Sequence, residues 1–248
     1  MYVNWSKTKF MFLTKKRVNI PSMIVISSSE VEVVNKFKLL GVLIDSGLLF
    51  TEFVNNMKKM VNVKLYSIKK IFYLNREVKI QFFKTFLLPH FDYCSALSIY
   101  MCKTLIDKVE KFYNVCLLKL LNINVFGMSA LEQHKFLEGY NLLPFKVRLF
   151  NRINMFCYKK MNGVILNQFL DEIKFKDKLY FRRRELVELP DIRTNFGRKS
   201  VTYFLPKFIN CCLKNAYNLN LTDFKNYLKF NISFILPNYL ESFYSDMT

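Results

Sequence analysis

The sequence has few of the residues from which most enzyme sites are built. Its 248 residues include only two His and six Cys, and their spacing fits no zinc site. Phosphate loops, GxSxG elbows, HExxH helices and D-x-D or x-D-D pairs are all missing. Asp45, Asp92 and Asp107 stand singly, whereas two-metal phosphoryl transfer needs carboxylates that bridge divalent ions. His90 near Asp92 is interpreted as a structural pair. We therefore expect no metal site, no cofactor and no complete catalytic centre.

Long apolar runs are also missing. Lys, Arg or Asn interrupts every hydrophobic stretch before it reaches the roughly 20 residues that a membrane-spanning helix needs. Residues 1–17 contain neither an uninterrupted apolar segment nor a small-residue cleavage site, so the sequence does not predict secretion. Most of the cysteines have apolar neighbours, which is typical of reduced core thiols. We expect an intracellular protein, nuclear or cytoplasmic, with no membrane segment.

Positive charge and aromatic rings are what the sequence has in excess. Lys and Arg number 38 against 19 Asp and Glu, which gives a net charge of +19 that is spread along the chain. Hydrophobic residues make up 52% of the chain, with 26 Phe and 14 Tyr, so enough apolar surface is present to fold it. The charge favours a polyanionic partner, most commonly nucleic acid. A merely solubilising surface excess is the alternative.

The hydrophobic period changes once along the chain. Residues 8–44 are typical of short strands, because β-branched and aromatic runs are separated by polar turns. From Phe50 the spacing is helical and predicts a long helix through residue 73. Further helices are predicted at 77–88, 104–122, 129–138, 145–161, 165–172, 204–214 and 222–230. Pro89 is expected to end the first of these, and Thr104 with Asp107 to cap the second.

The fold class follows from this pattern. We expect an α+β fold, mainly α, in which a small antiparallel sheet or hairpin at the N-terminus is followed by a thumb-like helical bundle. The domain boundary is predicted near residue 48.

One face of the long helix is basic. At 100° per residue, the sector opposite the apolar side chains contains Lys58, Lys59, Lys69 and Lys70. Such a stripe suits sequence-independent contacts to the phosphates of a duplex, and a solvated face is the alternative. Lys64 falls on the apolar side, where its stem must snorkel or mark a bend.

A second basic cluster consists of Arg182, Arg183 and Arg184 and follows Tyr180 and Phe181. One interpretation of this cluster is that its guanidinium groups bind phosphates while the two aromatic rings stack on bases. A solvated turn is the other.

Several short motifs occur along the chain in a consistent order. Asn4–Met11 is similar to N-x-x-K-T-K-x-M, Val33–Asp45 to V-x-x-F-K-Y-L-G-V-x-I-D, Phe83–Cys94 to Y-K-S-L-V-R-P-H-L-E-Y-A, Asp107–Lys111 to D-K-L-E-K, Arg193–Ser200 to T-R-x-x-x-G-x-R-S-F, and Leu221–Lys229 to S-L-x-x-F-K-x-x-L-K. In this order over nearly the whole chain, the motifs resemble the reverse transcriptases of non-LTR retrotransposons. The jockey-like branch fits best.

The resemblance implies the end of a polymerase palm in residues 1–48, and a thumb with a further helical region in 49–248. The implied primer grip consists of Phe37, Lys38, Leu39, Leu40 and Gly41. Leu39 departs from the Tyr that is common in the family. Lys7 occupies the position of the family's palm lysine, which assists the departing pyrophosphate. The implied partner is a primer–template duplex or an RNA/DNA hybrid.

The family's catalytic aspartates, in an upstream acidic motif and in a later [FY]-x-D-D, have no counterpart in this sequence. Mg²⁺ is therefore implied only for the intact parent polymerase. The chain is expected to support a primer and its template without transferring phosphoryl groups by itself. A truncated element copy and a gene model begun at an internal Met both agree with this expectation.

Two other interpretations stay open. The chain is a stand-alone basic helical protein that binds RNA or DNA, or it is a relic without function whose incomplete palm sheet leaves an unpaired edge. At the proposed grip, Gly41 would let the backbone approach a primer end closely, and an ordinary strand glycine is the alternative. No protein partner is indicated.

Overall fold

A computed structural model describes residues 3–14, 18–26, 28–68, 73–123, 136–137, 139–140, 142–165, 187–194, 197–211 and 214–231. The chain divides into two compact units, Met1–Asn124 and Val125–Thr248. The first unit contains the strands of the N-terminal region together with the first long helices. The functional boundary near residue 48 falls inside this unit and stays a prediction.

The strands of the first unit are short and follow the predicted order. They are β1 (Lys9–Phe10), β2 (Met23–Ile26), β3 (Ser29–Val33), β4 (Lys36–Leu39) and β5 (Val42–Asp45). β3 pairs with β2 in antiparallel and with β1 in parallel orientation, and its Val31 is buried. β4 and β5 form a separate antiparallel hairpin.

The helices of the first unit are amphipathic, as their spacing predicted. They are α1 (Thr51–Ile68), α2 (Arg76–Phe82), α3 (Leu88–Asp92) and α4 (Lys103–Leu120). Val54, Met57 and Val61 of α1 are buried, which follows the three-and-four spacing of a helix that packs on one side. α4 buries Val109, Tyr113 and other apolar residues. The expected α+β, mainly α class is thereby confirmed.

The predicted helix end at Pro89 is wrong. α2 continues through a π-helical turn, Phe83–Leu87, directly into α3, with right-handed backbone angles at Leu87 and Leu88. The wider turn shifts the hydrogen-bond register, and Pro89 then lies in the first turn of the next segment. The Leu88 N–H donates to the Phe83 carbonyl across this wider turn, and the helix then accommodates Pro89, which has no N–H to donate, at the next position.

The predicted cap of α4 is also wrong. The helix begins at Lys103, so Cys102 is the N-cap residue and no side chain caps the helix there. Thr104 lies inside the first turn, and its hydroxyl is 3.2 Å from the Cys102 Sγ.

The second unit is helical in its described part. α5 (Phe145–Met161) has the predicted bounds, α6 (Val201–Cys211) begins earlier than predicted, and α7 spans 221–231. The predicted helices 129–138 and 165–172 lie largely outside the described residues. Asn154 on α5 is fully buried, donates to the Phe150 carbonyl and accepts from the Tyr217 hydroxyl at 3.3 Å.

Aromatic stacking joins α5 to α7. The ring centroids of Tyr158 and Phe224 are 4.5 Å apart, and the Tyr158 hydroxyl donates to the Leu219 carbonyl at 2.8 Å. Among the described helices, none is long and apolar enough to cross a membrane. The compartment in which the protein resides stays a prediction.

Candidate nucleic-acid interface

The hairpin turn is the most exposed part of the predicted primer grip. Leu39 pairs with Val42, which leaves Leu40 and Gly41 as a two-residue turn. Their φ angles of 47° and 86° are both positive, as a type I′ turn requires. Gly41 adopts this backbone without penalty, whereas Leu40 has a Cβ that crowds the backbone there. Leu40 is 85% exposed, so its side chain gains little burial in compensation.

The two faces of the hairpin differ in chemistry. Side chains alternate across the strands, so Lys36 and Lys38 share one face, and both are exposed. Phe37 lies on the other face, is half-buried and pairs with Ile44. The grip residues Lys38, Leu39 and Leu40 are therefore available to a partner, whereas Phe37 mainly packs.

The base of the hairpin is fixed to the start of α1. The Asp45 carboxylate accepts hydrogen bonds from the backbone N–H groups of Leu49 and Phe50, at 2.9 and 2.8 Å. Leu48 and Phe50 both have left-handed backbone, and Phe50 is buried. The sequence showed Asp45 only as an isolated carboxylate, and its structural role follows from the loop geometry.

An ion pair makes a second connection at this base. Lys36 on β4 pairs with Glu52 in the first turn of α1. Both side chains are about half exposed, so solvent screens the pair and its contribution to stability is small. The pair places Lys36 of β4 next to the start of the helix that carries the predicted basic stripe.

The tip of the hairpin is held by Tyr93, which follows α3 in the chain. Its hydroxyl donates a hydrogen bond to the Leu40 carbonyl. Its ring lies along Gly41, where an added Cβ would be 3.5 Å from the hydroxyl oxygen. Desolvation, and then the adjacent Cys94, raise the pKa of Tyr93 above its ordinary value, so the hydroxyl stays protonated at neutral pH.

The predicted basic stripe is only partly a free surface. Lys58 of α1 is half-buried, and its Nζ lies over the Phe112 ring of α4, 5.4 Å from the ring centre. Lys59 is exposed and forms no ion pair within the described part of the chain. Its exposed neighbours on α1 include Asn55 and Tyr66. Lys69 and Lys70 lie outside the described residues.

The thiol of Cys116 on α4 lies close enough to Lys58 for the two to interact electrostatically. Burial raises the pKa of Cys116 to about 12, while Lys119 and Lys58 act in the opposite direction. Lys58 therefore acts on the packed side of α1 as well as at its surface, and a change at this residue affects packing and charge together.

Lys64 leaves the apolar side of α1 by snorkelling, one of the two outcomes that we expected. Its Nζ is 3.5 Å from the Phe86 carbonyl of the π-helical turn, at the outer limit of a hydrogen bond. Burial, and then the charge of Lys64, lower the pKa of His90 below its ordinary value. Both effects favour neutral imidazole.

Lys7 lies in a short 3₁₀ turn, Trp5–Lys7, at the N-terminus. The Asn4 side chain accepts from the Lys7 backbone N–H at 3.3 Å, and the Thr8 hydroxyl donates to the Asn4 carbonyl at 2.8 Å. The Asn and Thr of this motif thus shape the local turn. The Lys7 side chain is exposed.

Arg182, Arg183 and Arg184 lie outside the described residues, so the interpretation of that cluster stays a prediction. Within the described part, no group of three or more His, Cys, Asp and Glu side chains is placed to hold a metal ion. The described residues that come together are the hairpin turn, Tyr93 and the start of α1.

Comparison of the chain with protein-family models, with curated proteins and with solved structures found no match.

Proposed function

We propose that this chain holds primer–template nucleic acid, as the primer-grip and thumb side of an RNA-directed DNA polymerase of the non-LTR retrotransposon type. The observation that carries the proposal is the hairpin turn at Leu40 and Gly41. Its two residues are exposed beside the exposed Lys38, and the hairpin is connected at both its base and its tip to the helical part of the same unit.

The chemistry of this turn suits a nucleic-acid backbone. Leu40 and Gly41 are both exposed, so a sugar or phosphate can approach the backbone of the turn from the side that the Tyr93 ring does not cover. An ammonium group at Lys38 supplies a phosphate contact that does not depend on base sequence. The net charge of +19 favours the approach of any polyanion.

The role proposed is support rather than catalysis. The carboxylate pairs that would bind Mg²⁺ in a polymerase have no counterpart in the sequence, so phosphoryl transfer belongs to the intact parent enzyme. This chain would position the primer end and bind the duplex behind it.

Equilibrium binding of labelled nucleic acids to the purified chain tests the proposal. We expect tighter binding of an RNA template with a recessed DNA primer than of a blunt duplex or a single strand of equal length. The logarithm of the association constant should fall linearly with the logarithm of salt concentration.

Charge reversal at the exposed lysines sharpens the test. Lys38→Glu and Lys59→Glu should each weaken binding and lower the magnitude of the salt slope by about 0.9, the value for one phosphate contact on duplex. Lys229→Glu is the matched control, because Lys229 is exposed on α7 in the second unit and its substitution alters net charge equally.

Three results would count against the proposal in different ways. Equal affinity for all nucleic acids would favour a stand-alone RNA- or DNA-binding protein. Equal losses of affinity in all three variants would mean that total charge, not the positions of Lys38 and Lys59, determines binding. Weak binding without salt dependence, in a chain that also lacks a cooperative melt, would favour the relic.

A further inference from the structure

Tyr93 makes a contact that neither the motif pattern nor the helical period explains. It lies 53 residues after Leu40 in the chain, immediately after the end of α3, and donates its hydroxyl hydrogen bond to the Leu40 carbonyl. Tyr93 is 48% exposed, so it does not belong to the hydrophobic core. Its polar atom is directed at a single backbone group, in the turn of the hairpin.

The turn requires an external support, because its own sequence is poorly suited to it. A type I′ turn favours Asn, Asp or Gly at both central positions, and Leu40 occupies the first with φ of 47°. A two-stranded hairpin has little stability by itself. A hydrogen bond to the carbonyl of the strained residue stabilises the left-handed backbone directly.

The ring of Tyr93 restricts the turn from the side. Its hydroxyl oxygen and Cε1 would lie 3.5 and 3.8 Å from a Cβ on Gly41, so the ring already covers the side on which this residue has no side chain. The hydroxyl and the ring therefore act on adjacent residues of the same turn, and together they define its orientation relative to α3.

We infer that Tyr93 is a positioning residue, which holds the Leu40–Gly41 turn in the shape and direction needed to contact the primer strand. This inference rests on the proposed function. It assigns to the helical segment after the π-helical turn a role in primer binding that is exerted through the hairpin, without contact between Tyr93 and nucleic acid.

Tyr93→Phe tests the inference, because it removes the hydroxyl and keeps the ring beside Gly41. We expect the dissociation constant for a recessed RNA/DNA primer–template to rise about fivefold, the equivalent of ~1 kcal/mol for one hydrogen bond. Backbone amides of residues 39–43 should exchange with deuterium faster than in the wild type. The midpoint of thermal unfolding should fall by no more than about 5 °C, because only one hydrogen bond is lost.

A double-mutant cycle distinguishes positioning from a direct contact. Leu40→Asn creates an Asn-Gly turn, which adopts the type I′ shape without help. In that background, Tyr93→Phe should weaken binding less than about twofold, whatever Leu40→Asn does by itself. An undiminished fivefold effect would mean that Tyr93 contacts the nucleic acid directly, and it would overturn the positioning role.

The remaining outcomes separate this inference from the function on which it rests. If the wild type binds primer–template but Tyr93→Phe alters neither exchange nor affinity, the inference fails and the proposed function stands. Faster exchange with unchanged affinity also overturns the inference, because Tyr93 would then order the turn without affecting primer binding. If the wild type does not bind primer–template, the proposed function fails and the binding role of Tyr93 fails with it, while exchange still shows whether the hydroxyl orders the turn.

Discussion

Replacement of Asp45 should loosen the junction between the hairpin and α1. Its carboxylate accepts two backbone hydrogen bonds, from Leu49 and Phe50, in a loop that contains left-handed backbone at Leu48 and Phe50. Hydrogen bonds to a charged group contribute about 1.5–3 kcal/mol each, and partial exposure places these at the lower end. We expect Asp45→Ala to lower the free energy of unfolding of the first unit by about 2–3 kcal/mol. Asp45→Asn, which keeps one acceptor, should cost about 1 kcal/mol.

Fluorescence of the single Trp, Trp5, is a suitable assay because this residue lies in the first unit. With an m-value of about 2 kcal/mol/M, the Asp45→Ala loss corresponds to a fall of about 1–1.5 M in the urea midpoint. Glu30→Ala is the matched control, since Glu30 is an exposed carboxylate on β3 without a hydrogen bond or ion pair in the described part of the chain. Equal midpoints for Asp45→Ala and Glu30→Ala would refute the structural role assigned to Asp45.

Three further changes have outcomes set by local geometry. Gly197→Ala would place its Cβ 2.5 Å from the Ile192 Cγ2, so we expect a loss of about 1–3 kcal/mol in the unfolding of the second unit by thermal denaturation, and an unchanged melt would contradict that contact. The pKa of His90 is lowered in the folded protein, so the stability that neutral His90 contributes is complete above pH 6.5 and is lost as pH falls through the folded-state pKa. We therefore expect the free energy of unfolding, measured in urea, to fall less between pH 7 and pH 5 in His90→Gln than in the wild type. Burial raises the pKa of Cys116 to about 12, so peptide mapping after brief alkylation at pH 8 should find Cys102 modified and Cys116 protected until the protein unfolds, whereas equal labelling would show that Cys116 is accessible.

The elements themselves could be predicted from local patterns. Strand and helix periods are properties of neighbouring residues, so the position of α5 and the buried face of α1 follow from the order of apolar side chains. The hairpin was implied only by the resemblance, and its turn was located at Leu40 and Gly41 by the structure, where both φ angles are positive. Pro89 shows the limit of local rules, since its effect depends on the hydrogen-bond register of the turn before it.

The functions of single side chains could not be predicted in the same way. Lys58 and Lys59 are neighbours in the predicted stripe, yet Phe112 of α4 lies beside the first while the second is exposed. The helical wheel of α1 contains no information on which residues another helix covers. Whether a lysine is free to bind phosphate is therefore decided by packing between elements that are distant in the chain.

The sequence by itself determined the basic charge, the α+β class and the order of strands and helices, because composition and periodicity act over a few residues at a time. Only the tertiary structure decided that Asp45 anchors a strained loop and that the Tyr93 hydroxyl bonds to the Leu40 carbonyl, 53 residues away. Such a contact depends on the distance and direction of two groups after folding, and no spacing in the chain specifies either quantity.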